Sequence, residues 1–240
     1  VAKQRTSLLK QLGDRGDFDP QDGRQAALSG LEIWTGQFID IGMALTHDRA
    51  MLIERLSEPF SRVYASLAGT DQQALLHYEP SFDEVMLYDD PAAEISQHFQ
   101  RIYPGEVARG QNLIGPHRDD LTLTLHGMPA REFASNGEMW TMALALKMAL
   151  YETVCADQQT KPIVILDDVF AQLDESRREQ ILDFARRQDQ VLITVAAASD
   201  IPATQAHMID VAALRDHADD DDALGALMAT LAAGRKAEER

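Results

Sequence analysis

The sequence predicts an α/β fold in which a mixed sheet with flanking helices is joined to a mainly helical lobe. Three observations predict it. Residues 1 to about 70 repeat apolar side chains at helical spacing, residues 121–125 alternate apolar and polar side chains, and residues 162–166 form one continuous apolar run. Alternation with period two is typical of a half-buried strand, and a continuous apolar run is typical of a strand in the centre of a parallel sheet.

The first 110 residues are predicted to form the helical lobe. A loop rich in Asp and Gly, residues 13–23, separates a first helix from a longer second one. Five apolar residues recur at helical spacing in the second helix and form one stripe: Leu52, Leu56, Phe60, Val63 and Leu67. A short strand in residues 74–82 and an amphipathic helix follow, and Pro104–Gly105 is expected to end that helix.

The sheet is predicted to lie in residues 111–205. We expect the strand at residues 121–125 to belong to an antiparallel pair. Residues 137–156 form a long helix that is apolar nearly all round, so we expect this helix, with Cys155, to be buried.

A β-α-β unit is predicted after that helix. Its first strand is the apolar run at residues 162–166, its helix covers about 175–187, and its second buried strand covers 190–195. Residues 206–240 are acidic and Ala-rich, and we expect them to form a C-terminal tail.

The formal net charge is −17, which argues against a broad basic DNA-binding surface on this chain. Neutralising the phosphates of DNA requires clustered Lys and Arg side chains. Part of the excess negative charge is local, in Asp216 and in residues 219–222. We interpret this run as a solvated tail or loop, and the alternative is that it imitates DNA or shields a basic partner.

Nothing in the sequence indicates a membrane protein or a secreted one. No apolar run approaches the roughly 20 residues that a membrane-spanning helix needs, and residues 1–5 lack the apolar core of a signal peptide. The single cysteine, Cys155, excludes an internal disulfide and fits a reducing compartment. We therefore expect a cytoplasmic protein without a membrane partner.

Two adjacent carboxylates, Asp167 and Asp168, directly follow the apolar run at residues 162–166. This order places both acids at the carboxyl edge of a sheet, where open α/β folds bind their ligands. Two unpaired carboxylates at a buried edge would repel each other and lose solvation, which a divalent cation or a reaction role would relieve. The simpler alternative is that one of the two acids only caps the next element.

A second candidate site precedes the long helix, at Ser135-Asn-Gly-Glu138. A Ser-x-Gly turn at a helix N-terminus offers a hydroxyl, free backbone N–H groups and the positive end of the helix dipole, which suit a terminal phosphate. The alternative is an ordinary helix cap, and the same alternative applies to Asp174 before the helix at about 175–187.

Together these motifs resemble the C-terminal part of an ABC/SMC-type ATPase head, and within that class the RecF family of DNA replication and repair proteins. The resemblance rests on three segments: Gly115-Pro-His-Arg-Asp-Asp-Leu121, Phe133-Ala-Ser-Asn-Gly-Glu138 and Leu166-Asp-Asp-Val-Phe-Ala-Gln-Leu-Asp174. It covers most of residues 1–205. Family members commonly carry Gln where Glu138 stands. Many ABC ATPases place a switch His where this sequence has Leu192-Ile-Thr194, so we assign no phosphate-sensing His here, although Thr194 could do part of that work.

The resemblance implies that ATP and Mg²⁺ are the cofactors and that one active site needs two chains. It implies these roles: Mg²⁺ coordination by Asp167, catalysis by Asp168, an ATP-facing signature motif of Ser135, Asn136, Gly137 and Glu138, and a place at the dimer seam for Asp174. ATP would then lie at the interface of a homodimer that closes as a clamp on DNA. Hydrolysis would release the clamp. The implied partners are single-stranded or gapped duplex DNA and other recombination-mediator proteins.

No phosphate-binding loop of the Gly-x-x-x-x-Gly-Lys-[Ser/Thr] type occurs in the 240 residues. The sequence has five lysines, and none of them follows a Gly or precedes Ser or Thr: Lys3, Lys10, Lys147, Lys161 and Lys236. Family members carry this loop near their N-terminus, and the chain does not begin with Met, so we expect it to be a fragment. The 240 residues alone are therefore expected to bind and hydrolyse little or no ATP.

Several alternatives stay open. His117 and Arg118 are expected either to bind neighbouring carboxylates such as Asp119 and Asp120 and shape the turn before the strand, or to act near the nucleotide or in coupling to DNA. Trp34 and Trp140 are expected to pack in the core rather than to stack on bases. The rival functions are another ABC or SMC-like head, including a transporter head, and a non-enzymatic repair adaptor. An SMC head would need a long heptad arm, and the sequence contains no sustained heptad repeat.

Overall fold

A computed structural model describes residues 1–13, 22–69, 73–170, 175–201 and 206–211. The helices are α1 Ala2–Gly13, α2 Asp22–Ala68, α3 Glu84–Leu87, α4 Pro91–Arg109, α5 Ala130–Phe133, α6 Asn136–Gln158 and α7 Glu175–Ala185. The strands are β1 Ala74–Glu79, β2 Asp120–Leu125, β3 Met128–Pro129, β4 Val164–Asp167 and β5 Val191–Thr194. Single 3₁₀ turns cover Pro116–Arg118 and Ala198–Asp200.

The chain divides into two compact units. The first comprises residues 1–165 and 180–192, and the second comprises residues 166–179 and 193–240. Within the described residues, no helix is both long and apolar enough to cross a membrane. The predicted boundaries at residues 110 and 205 stay predictions. The loop expected at residues 13–23 and the expected tail fall largely outside the described residues.

The first sheet is antiparallel, in the order β1-β2-β3. Ala74 faces Leu125 and Glu79 faces Asp120 along the full β1–β2 register, and Leu125 faces Met128 on the next strand. The alternation of apolar and polar side chains therefore predicted both the strand and its antiparallel pairing correctly.

The main core lies where α2 packs on α6 and on the antiparallel sheet. Leu56, Phe60 and Val63 of the predicted apolar stripe are buried there, and Leu67 packs against them. Leu52, at the other end of the stripe, is 40% exposed. Each fully buried side chain of this size stabilises the fold by about 1.5–3 kcal/mol, so the stripe is what holds α2 in place.

A second apolar cluster joins α2 to α4. Ile95 and Phe99 of α4 pack with Phe38, Ile39 and Phe82, as the amphipathic pattern predicted. Edge-to-face and tilted contacts connect the Phe rings, with centroids 5.9–6.1 Å apart.

The expectation that Pro104–Gly105 ends the helix was wrong. α4 continues to Arg109 and ends at Gly110, whose φ of 59° is left-handed. An internal proline removes one helical hydrogen bond but does not by itself stop a helix whose next turn is held by other contacts. Here Glu106 is fully buried and binds the side chain of Arg5 and the backbone N–H of Leu113, which fixes the last turn.

Two expectations of burial were also wrong. α6 buries one face only, through side chains four residues apart such as Ala145, Ala149 and Thr153, and Cys155 is only half-buried. In β4 and the residue before it, Ile165 and Ile163 are 65% and 58% exposed. An apolar sequence creates a surface that can be buried, but burial also needs a second surface to cover it.

Candidate functional site

The two predicted acids lie at the end of β4. The backbone N–H of Val164 donates to Gln190 O at 3.1 Å, and that of Asp168 donates to Thr194 O at 3.2 Å. These bonds advance in the same direction along both strands, so β4 and β5 run parallel. Among the described residues this sheet has only these two strands. Asp167 and Asp168 therefore stand at the carboxyl edge of a parallel pair, as the sequence predicted.

Thr194, the last residue of β5, contacts both acids. Its hydroxyl donates to Asp167 Oδ1 at 2.5 Å and accepts the backbone N–H of Asp168 at 3.1 Å. Asp168 has a φ of 49°, a left-handed conformation that favours glycine and that Asp adopts more readily than most other residues. Residues with such a backbone conformation cluster at functional sites.

Both acids are exposed, so the expectation of a buried, desolvated pair was wrong. Solvent screens the repulsion between two exposed carboxylates, and their proximity alone does not require a cation. The described residues contain no group of three or more His, Cys, Asp and Glu side chains that could hold a metal. Asp167 and Asp168 nevertheless fit Mg²⁺, because this ion typically binds one or two carboxylates and takes its other ligands from water and substrate phosphates.

The Ser135–Glu138 turn forms a capping box at the start of α6. The Ser135 hydroxyl accepts the Glu138 N–H at 3.3 Å, and the Glu138 carboxylate accepts both the Ser135 N–H and the Ser135 hydroxyl at 2.7 Å. These bonds hold the pKa of Glu138 below its ordinary value. The capping alternative thus describes the observed geometry, in which Glu138 binds both the hydroxyl and the N–H of Ser135.

The predicted site residues form two separate groups. Asp167 and Asp168 are adjacent in the second unit, whereas Ser135, Asn136, Gly137 and Glu138 lie together in the first. Asp174 lies outside the described residues. Their assignment to one site stays a prediction.

Asp119 joins three parts of the first unit, a role that the sequence did not reveal. Its carboxylate accepts hydrogen bonds from Arg49 Nη1 at 2.6 Å, the Tyr78 hydroxyl at 2.5 Å and the Ser81 N–H at 2.9 Å. Burial, and then the bond to Asp119, raise the pKa of Tyr78. The only available signal was the Gly-Pro-His-Arg-Asp-Asp motif, which does not name these distant partners.

His117 and Arg118 directly precede Asp119 in the chain and contact other groups. Arg118 Nε donates to Asn112 O at 2.9 Å, and the His117 ring lies 5.9 Å from the Phe38 ring. Partial burial lowers the pKa of His117. Trp34 and Trp140 are half-buried.

Comparison with known proteins identifies the relatives of this chain. The DNA replication and repair protein RecF of Bifidobacterium adolescentis is 73% identical over 241 residues, which cover 100% of this chain and 60% of that protein. RecF of Bifidobacterium longum subsp. infantis is 66% identical over 91% of the chain and 53% of its own length, and RecF of Frankia alni is 36% identical over 85% and 54%. The chain therefore spans between about half and three-fifths of these relatives. No family model matches.

Two solved structures share the fold. The recombination mediator protein RecF-ATPrS in the RecFOR pathway superposes with a TM-score of 0.69 at 21% identity, over 84% of this chain and 52% of that one. The RecF-ATP structure gives a TM-score of 0.67 over 84% and 51%. The expected α/β fold class with a helical lobe is thereby confirmed, since these solved proteins share the fold of the chain. On its sequence and its fold together, the chain belongs to the RecF family of DNA replication and repair proteins.

Proposed function

We propose that the chain supplies the metal-binding, hydrolytic and signature parts of an ATP site in a RecF-type clamp of recombinational DNA repair and replication-gap processing. The observation that carries this proposal is the arrangement at the end of β4, where Asp167 and Asp168 follow one another and Thr194 contacts both. Formation of the capping box and folding of the helical lobe would not require two adjacent acids at the end of β4. The names of the relatives and the ATP in a solved relative support the same function.

Asp167 is the proposed Mg²⁺ ligand and Asp168 the proposed general base. When bound, Mg²⁺ would neutralise charge on the nucleotide phosphates. Asp168 would accept the proton of the water that attacks the terminal phosphate. Both carboxylates are exposed, so a nucleotide and a water molecule can reach them without any unfolding.

The signature motif, Ser135 to Glu138, is proposed to face ATP bound to a second copy of the protein, with Asp174 at the seam. The N-terminus of α6 offers the positive end of a 23-residue helix to a phosphate. Since the Glu138 carboxylate now holds the Ser135 hydroxyl and N–H, it must release them when a phosphate arrives. ATP would thereby join two copies, and hydrolysis would separate them.

DNA, single-stranded or as a gapped duplex, is the proposed substrate of the closed clamp. A chain of net charge −17 offers DNA little electrostatic attraction, so most DNA contacts are assigned to the rest of the complete protein. Other recombination-mediator proteins are the proposed partners, in keeping with the RecFOR pathway named for the solved relatives.

A non-enzymatic repair adaptor is the second candidate. It is favoured by one observation, that Ser135 and Glu138 already satisfy each other through the capping box, which occupies the Ser135 hydroxyl. In an adaptor, the acids at β4 would have no effect on function.

The test is DNA-stimulated ATP turnover by the complete protein that carries this chain, as wild type, as Asp168→Asn and as a control, Asp183→Asn. Asp183 is an exposed acid on α7 whose partner is Arg186, and its loss should leave turnover unchanged. Loss of a general base typically costs about 100-fold or more, so turnover by Asp168→Asn should collapse. Equal turnover by Asp168→Asn and wild type, or no turnover by the wild type with any DNA, would leave the adaptor as the better account.

A further inference from the structure

We propose that Thr194 is a positioning residue of this site, whose hydroxyl holds the Asp167 carboxylate and the backbone at Asp168 in a single arrangement. The inference rests on the proposed ATPase function and deepens it. Thr194 would touch neither nucleotide nor metal. It would act through the two acids, because it contacts both of them from the neighbouring strand.

The hydroxyl of Thr194 uses both of its hydrogen-bonding capacities. A threonine hydroxyl has one proton to donate and lone pairs with which to accept. The proton goes to Asp167 Oδ1 at 2.5 Å, and a lone pair receives the Asp168 N–H at 3.1 Å. A side chain of this size needs a hydroxyl both to donate to Asp167 and to accept the Asp168 N–H. Valine has the same shape but no hydroxyl, so Thr194→Val would lose both contacts at once.

The bond to Asp167 selects which oxygen is available to a cation. Because Oδ1 accepts the hydroxyl proton, rotation of the Asp167 carboxylate is restricted, and Oδ2 would remain the oxygen without this bond. Side chains that orient a metal ligand in this way typically change metal affinity or activity by roughly 10- to 100-fold when they are removed.

The bond to Asp168 supports a strained backbone. The Asp168 N–H is shared between the carbonyl of Thr194 at 3.2 Å and its hydroxyl at 3.1 Å, while φ is held at 49°. Without the hydroxyl, only the Thr194 carbonyl would bind the Asp168 N–H, so less interaction would keep Asp168 in its left-handed conformation. The orientation of the Asp168 carboxylate, the proposed base, would then be less well defined, and turnover at saturating Mg²⁺ would fall.

The test measures ATP turnover by the complete protein as a function of Mg²⁺ concentration, together with direct Mn²⁺ binding by electron paramagnetic resonance in the presence of ATP. The variants are Thr194→Val, Thr194→Ala, which removes the hydroxyl without filling its space, and Thr194→Ser, which retains it. Thr122→Val is the control, because Thr122 is, like Thr194, a strand threonine, and it lies in β2 opposite His77. Circular dichroism checks that each variant folds.

We expect Thr194→Val and Thr194→Ala to raise the Mg²⁺ concentration for half-maximal turnover, and to weaken Mn²⁺ binding, by roughly 10- to 100-fold. Thr194→Ser should recover most of this loss, and Thr122→Val should behave as wild type. An unchanged Mg²⁺ requirement in folded Thr194→Val and Thr194→Ala, or a Thr194→Ser protein as impaired as they are, would overturn the role of the hydroxyl. A wild type without turnover would overturn the proposed function instead, and the Mn²⁺ affinities of the same variants would still decide the role of Thr194.

Discussion

Loss of the Arg5 side chain should destabilise the packing of α1 against α2 and α4. Its Nη1 donates to Glu106 Oε1 at 2.9 Å and to Asn112 Oδ1 at 2.7 Å, and its Nη2 donates to Glu106 Oε2 at 2.5 Å. Its Nε donates to Thr35 at 3.0 Å, and its guanidinium carbon lies 4.3 Å from the centre of the Phe99 ring. One buried residue of α1 thus joins α2 and α4.

The expected cost of Arg5→Met follows from the burial of the pair. Arg5 is 2% exposed and Glu106 is 0% exposed, so removal of the arginine leaves a carboxylate in the interior with the Leu113 N–H as its remaining donor. Breaking a buried pair in this way costs about 3–5 kcal/mol, whereas removing both charges is often close to neutral. Methionine fills much of the same volume, so the cavity contributes little.

The assay is urea unfolding followed by circular dichroism for wild type, Arg5→Met, the double variant Arg5→Met/Glu106→Gln, and Arg101→Met as a control. Arg101 is an exposed arginine of α4, and its loss should change the free energy of unfolding by less than about 0.5 kcal/mol. Gln at position 106 removes the uncompensated charge and still accepts the Leu113 N–H, so the double variant should be more stable than Arg5→Met. A loss below about 1 kcal/mol for Arg5→Met, or a double variant that is less stable than the single one, would contradict this role of the buried Arg5–Glu106 pair.

Further predictions concern the capping box of Ser135 and Glu138 and the carboxylate of Asp119. Ser135→Ala should destabilise the first unit by about 1 kcal/mol through loss of the α6 cap, measured by thermal unfolding. The bonds from Ser135 lower the pKa of Glu138, so the stability that ionised Glu138 contributes is present above the ordinary carboxyl pKa and is lost as the pH falls through the folded-state pKa. Wild type should therefore be more stable than Glu138→Gln near neutral pH, and the two stabilities should converge in acid. A stability difference that stays constant with pH would contradict this. Asp119→Asn should cost about 1–3 kcal/mol because Arg49, Tyr78 and Ser81 all donate to this carboxylate. It should also lower the raised pKa of Tyr78, measured by ultraviolet titration, and an unmoved pKa would show that burial alone sets it.

Local periodicity predicted the elements of this fold well. The stripe through Leu56, Phe60 and Val63 is buried, and the alternation at residues 121–125 corresponds to an antiparallel strand. Both patterns reflect contacts whose partners lie within the first unit. Ile163 and Ile165 are exposed among the described residues, so the apolar run at this strand does not correspond to a buried strand there.

The candidate site was only partly predictable for a similar reason. Asp167 and Asp168 are adjacent in sequence, so their common position at the end of β4 followed directly from the strand. The contacts of Thr194 depend on the register between β4 and β5, which is a property of the folded pair. The helix beyond Pro104 likewise depends on the distant side chain of Arg5, which no local pattern around residue 104 reveals.

In the proposed dimer, one ATP site is built from Asp168 of one copy and Ser135 of another. This arrangement is tested by ATP turnover in a mixture of the complete protein as Ser135→Arg and as Asp168→Asn, each expected to be inactive by itself. In mixed dimers, one of the two sites would combine the intact Asp168 of one copy with the intact Ser135 of the other. Equimolar mixing should then restore about a quarter of wild-type turnover, since half of the dimers are mixed and each has one intact site. A mixture as inactive as its two components would contradict a shared site.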